Sequence, residues 1–140
     1  MELLKTPKTA YLLEAGLEIL HQQSNEWLNE IAFWRDETAF FYSLFVKKTL
    51  SSVPIGEKNK VEKIESELIK ITGEDLDALQ SEVKEHEHYL SQLLLTNRLD
   101  ERSYRDKHQQ LTLKFMEFET RIKSLKKEIF TLVEKIDKKL

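Results

Sequence analysis

Residues 104–136 read YRDKHQQLTLKFMEFETRIKSLKKEIFTLVEKI, and their periodicity decides the fold. Steps of four and three residues pick out Tyr104, His108, Leu111, Phe115, Phe118, Ile122, Leu125, Ile129, Leu132 and Ile136. One histidine aside, this is an unbroken apolar heptad. Side chains three and four residues apart share one face of an α-helix, so a phase held this long specifies a single buried stripe on a long rod. Charged residues fill most positions between.

Upstream, the same steps give Leu13, Leu17, Leu20, Ser24, Trp27, Ile31, Trp34, Thr38, Phe41 and Phe45 in a first segment. A second segment gives Val61, Ile64, Leu68 and Ile71, then Leu76, Leu79, Val83, His86, Leu90 and Leu93. Between Ile71 and Leu76 the phase slips by one residue, beside Gly73. Either a single helix carries a stutter there, Leu68 to Leu79 being an eleven-residue step, or Thr72-Gly73-Glu74-Asp75 breaks it in two. We expect continuity, because an interior Gly costs a helix only about 1 kcal/mol.

Ser51-Ser52-Val53-Pro54-Ile55-Gly56 reads as a turn, and Thr96-Asn97-Arg98-Leu99-Asp100 as a second connection with Asp100 as helix N-cap. Thr6 before Pro7 fits a cap at the start of the first helix. These marks predict an all-α chain of helices at about 7–50, 58–96 and 101–138, one domain over 1–140. At about 1.5 Å per residue each helix is a rod on the order of 60 Å long. Short connections make the expected architecture an elongated, antiparallel, coiled-coil-like up-down-up three-helix bundle. A four-helix bundle broken near Gly73 is the alternative.

Antiparallel registration sets Trp27, Val83 and Leu111 in one layer, Ile31, Leu79 and Phe115 in the next, then Trp34, Leu76 and Phe118. At the flanks it places Lys114 opposite Glu82, Arg121 opposite Asp75 and His21 opposite Glu87. Pairs of opposite charge recurring there support the register. The same alignment brings Ser24, His86 and His108 into one polar core layer, one residue from each rod, with His21 and Glu87 at its edge.

A neutral imidazole has one donor and one acceptor, so the three polar groups are expected to satisfy one another and fix register. The alternative is a metal centre in which His86, His108 and His21, with Glu87 as ligand or support, hold zinc or another divalent transition metal. Otherwise no cofactor is expected. Glu18-Ile19-Leu20-His21 and Glu85-His86-Glu87-His88 both spell Glu-x-x-His, yet Glu18, Glu85 and His88 fall on outer positions. A di-iron site needs carboxylates projecting inward, so this spacing carries no such reading.

Leu12, Ile19, Phe33 and Phe40 recur at multiples of seven outside the seam of the first helix. No row so continuous marks the outer faces of the other two, and an aligned apolar stripe is a candidate interface. We expect a homodimer through it, or docking to another helical protein.

Composition narrows the function classes. The 140 residues are 34% charged with a formal net charge of −3, which lacks the basic footprint of a general nucleic-acid binder. No cysteine is present, so disulfides, thiolate zinc sites and a cysteine nucleophile are all excluded. Neither a signal peptide nor a run of about 18 apolar residues is visible, so a cytoplasmic protein making no membrane contact is expected. No Gly-rich phosphate loop occurs, and we expect no enzyme.

The stretch Glu26-Trp27 through Phe33-Trp34-Arg35-Asp36-Glu37, taken with His86-Glu87, resembles a group of small uncharacterised bacterial helical-bundle proteins over most of the chain. That resemblance implies a helical bundle and brings no activity, substrate or ligand. The function read from the residues is a non-catalytic helical scaffold or protein–protein interaction module that self-associates. Its alternative is a small metal-binding or sensing bundle.

Overall fold

The computed structural model describes residues 16–96 and 99–138. The expected start of the first helix, with Thr6, Pro7 and Leu12, lies outside them. Helix α1 spans Leu17–Ser51, α2 Lys58–Lys70, α3 Leu76–Leu95 and α4 Glu101–Lys138. Among the described residues there is no strand.

A single π-helical turn, Ile71–Asp75, joins α2 to α3, so residues 58–95 are one rod and the described residues form three rods. The rod is continuous as expected and the alternative break near Gly73 does not occur, but the slip is absorbed differently from the eleven-residue stutter. Successive core residues Ile71 and Leu76 stand five apart, and the Leu76 N–H donates to the Ile71 carbonyl. That i to i+5 bond accommodates the extra residue without turning the apolar stripe away from its partners.

The first connection is a tight turn in which the Glu57 N–H donates to the Pro54 carbonyl at 3.1 Å. Gly56 carries φ +82 there, a conformation an L side chain adopts only at a cost. At the second connection Asp100 caps α4 as expected. Its Oδ1 accepts the Arg102 N–H at 3.0 Å and its Oδ2 the Ser103 hydroxyl at 3.0 Å. The Tyr89 hydroxyl donates to the Asp100 carbonyl at 2.9 Å, which ties the end of α3 to the start of α4.

Each rod packs against both others. Between α1 and α4, contacts rise together in number: Gln23 with His108, Glu37 with Lys126, Lys48 with Asp137. Between the central rod and α4 one number falls as the other rises, as in Glu57 with Lys135, Glu67 with Arg121 and Glu82 with Lys114. All three predicted flanking pairs form: Lys114–Glu82 at 2.6 Å, Arg121–Asp75 at 2.7 Å, and His21 with Glu87.

Every residue of the three predicted layers is buried except Phe118, which is half-buried. The Arg121 guanidinium covers that ring at 5.4 Å while its nitrogens reach Glu67 and Asp75. Aromatic rings climb between α1 and α4 as a ladder: His108 on Trp27 at 4.5 Å, Trp27 on Phe115 at 5.0 Å, Phe115 on Trp34 at 5.7 Å and Trp34 on Phe118 at 5.2 Å. Such offset stacks fix side-chain direction as well as burying apolar area.

Candidate functional site

Ser24 of α1, His86 of α3 and His108 of α4 are all buried, at the height the heptad alignment assigns them. The two histidines meet directly. His108 Nε2–H donates to the Gln23 side-chain oxygen at 2.6 Å, which leaves His108 Nδ1 to accept from His86 Nε2–H at 2.9 Å. Trp27 stacks on the His108 ring, and Tyr104 lies on the His86 ring at 4.3 Å with only 3° between planes.

This environment disfavours charge. Burial, with Lys107 adding repulsion, pushes His86 down to about 4. Burial, followed by His86 and Arg105, pushes His108 down to about 3. A proton added to His108, at Nδ1, would also set N–H against N–H across the pair. Burial and the nearby Glu87 charge push the Tyr104 phenol up to about 12, so it stays protonated. The centre of the layer is thus a chain of neutral groups running from His86 through His108 to Gln23.

Ser24 does not bond to either imidazole, contrary to the expected arrangement. Its hydroxyl faces the Tyr104 phenol, and neither has a hydrogen-bond partner of good geometry. A serine hydroxyl sits one carbon from the backbone, whereas the longer Gln23 folds over the layer from the flank. Gln23 and Tyr104 are the members that heptad reading missed. Tyr104 was legible as one turn before His108 on the same face; Gln23, at a flanking position, carried no signal.

The predicted metal residues are brought to one end of the molecule but do not converge. Three of the four ring nitrogens of the His86–His108 pair face partners within the protein. His21 and Glu87 pair with each other at the edge, and Asn25 Nδ2 donates to His21 Nε2 at 3.4 Å. Among the described residues no group of three or more His, Asp or Glu side chains is placed to hold a metal ion. Glu18, Glu85 and His88 are exposed, as the heptad positions require.

On the outer face of α1, Ile19 is exposed, as are Phe33 at 58% and Phe40 at 63%. Phe40 packs edge-on against Phe41, and Phe41 against Phe130 of α4, itself 51% exposed. Leu113 and Met116 of α4 are exposed too, so the outer face of the third rod carries more apolar surface than its heptads suggested. No described helix is long and apolar enough to cross a membrane. No family model, curated protein or solved structure matches the chain.

Proposed function

We propose that the protein is a cytoplasmic, non-catalytic helical scaffold, an elongated up-down-up bundle that self-associates through the outer face of α1. The observation that carries this reading is the exposed row of Ile19, Phe33 and Phe40, extended onto α4 by the Phe40–Phe41–Phe130 contacts. Large aromatic side chains each bury roughly 150–250 Å² when covered, and they dominate the energetics of interfaces. A second copy presenting the same face supplies a self-complementary cover, the commonest form of closed assembly. The polar core layer serves that role by pinning the register that aligns the stripe.

Sedimentation at tens of micromolar tests it. Twice the 16.6 kDa chain mass is expected for the native protein. A single-chain mass is expected for the double variant Phe33→Glu with Phe40→Glu, its helical signal unchanged because both positions are exposed. A native protein of single-chain mass overturns the proposal.

A further inference from the structure

Phe33 and Phe40 belong to a longer column of α1. Counted by sevens, Glu26 comes before them and Lys47 after, so the exposed side chains along this face run acid, aromatic, aromatic, base. Positions seven apart return to nearly the same side of a helix, drifting by about 20° per step, so the four form one band. Arg35, Glu37 and Lys48 of the same helix are each tied to another rod, whereas Glu26 and Lys47 make no ion pair among the described residues.

A second copy can cover this band in two ways. Packed parallel, it sets each ring on its own counterpart and brings Glu26 against Glu26 and Lys47 against Lys47. Turned end for end about a two-fold axis midway between the rings, it sets Phe33 on Phe40 at both places, and each Glu26 meets the Lys47 of the other copy. Like charges facing each other across helices repel, and opposite charges there choose partner and orientation. Glu30, exposed one turn along from Glu26, adds to the acidic end. Asp36, also exposed, lies beside the axis and faces its own counterpart in either packing, so it does not choose between them. The turned packing also brings Ile19 near the level of the first connection, where Val53 and Ile55 are exposed. Because the axis falls near the middle of α1, residues 22–51 of the two copies overlap, roughly 45 Å of helix.

We propose that the second copy packs antiparallel along α1, centred between Phe33 and Phe40, with a Glu26–Lys47 pair closing each end. This rests on the self-association proposed above and adds its orientation and register. The contact is isologous, the same patch on both copies, and the charge order of the column makes that patch complementary to itself.

The chain has no cysteine, so an engineered thiol reports on one position alone. Glu26→Cys and Lys47→Cys chains, mixed in equal amounts and treated with a mild oxidant, are expected to join through a disulfide. Neither variant by itself should join, because antiparallel packing holds its two thiols roughly 30 Å apart. Sedimentation supplies the second arm. Glu26→Lys sets lysine against lysine at both ends and should weaken the dimer at least about tenfold, as should Lys47→Glu with its facing glutamates. Mixing those two variants, or placing both changes in one chain, should restore the native affinity. A native dimer whose single-thiol variants each join to themselves overturns this packing while self-association stands. So does a native dimer in which the mixed thiol chains fail to join, or one indifferent to the charge reversals. A native protein of single-chain mass overturns both readings together.

Discussion

The His86–His108 pair makes acid stability a property of two side chains. In the unfolded chain an imidazole takes up its proton near pH 6.5; in the folded protein His86 does so only at about 4 and His108 at about 3. Between those limits the unfolded state binds more protons, so stability must fall as the pH drops below about 6.5. The slope is up to about 1.4 kcal/mol per pH unit for each imidazole, and above about pH 7 the contribution is flat. Urea melts from pH 7.5 down to about pH 5 should show this fall. The same pair predicts non-additive substitution effects. His108→Leu alone leaves the buried His86 N–H without its acceptor and should lose about 1–3 kcal/mol. Replacing both histidines with Leu removes donor and acceptor together, so the double variant should stay within about 1 kcal/mol of the native protein or exceed it. It should also lose the slope between pH 6.5 and 5. A double variant that is less stable than the single one, or that keeps the slope, contradicts the assignment of the pair.

At the scale of the element, the π turn at Ile71–Asp75 shows what periodicity can and cannot report. The apolar steps located the irregularity to within two residues and left its form open, since a stutter, a break and a π turn all shift the phase beside Gly73. What separates them is a backbone hydrogen bond, from the Leu76 N–H to the Ile71 carbonyl, which no side-chain pattern encodes. The same limit explains the core layer. His86 and His108 were legible because they interrupt apolar stripes, whereas Tyr104 passed as one more apolar residue and Gln23 sat on a flank. The rods, the layers and three flanking side-chain pairs came from spacing alone, because those depend on Cβ direction and little else.

Gly73 itself is not required by the turn. A Cβ built there meets nothing within 4 Å, and its φ is not in the left-handed region. Gly73→Ala should therefore stabilise the protein by about 0.5–1 kcal/mol through backbone entropy, a rise of roughly 4 °C in melting temperature at most. Deleting Gly73 is the sharper experiment. It shortens the five-residue step to four and puts Leu68, Ile71, Leu76 and Leu79 on a continuous heptad. Retained helical content and a cooperative melt are expected from the deletion. Loss of folding would mean that the turn, and not merely the apolar phase, holds the rod together.

Across the whole molecule, the polar layer divides the core unequally. On one side lies a long apolar cluster running from Trp27 through Leu76 and Leu125 to Phe45 and Ile136. On the other is a small one, Leu20, Leu90 and Tyr104 with Leu17, Tyr89 and Leu93 packed against it. Both clusters end at helix termini, so simple fraying would affect the two ends alike. Apolar area does not: the small cluster has few side chains to resist opening, and it is joined to the large one through groups whose bonds fail on protonation. Local opening free energy follows buried apolar contacts, so the end holding Leu20, Leu90 and Tyr104 should open without the rest. Hydrogen exchange checks this directly. Amides of residues 18–23, 88–95 and 103–107 should exchange through a lower-energy opening than those of 41–48, 61–68 and 128–136, although both sets lie near rod ends. Lowering the pH from about 7 to 5.5 should widen the gap in opening free energy, once intrinsic exchange rates are corrected, because the imidazole pair stands at the boundary. Equal protection at the two ends, or a gap indifferent to pH, would show that the layer does not partition the core.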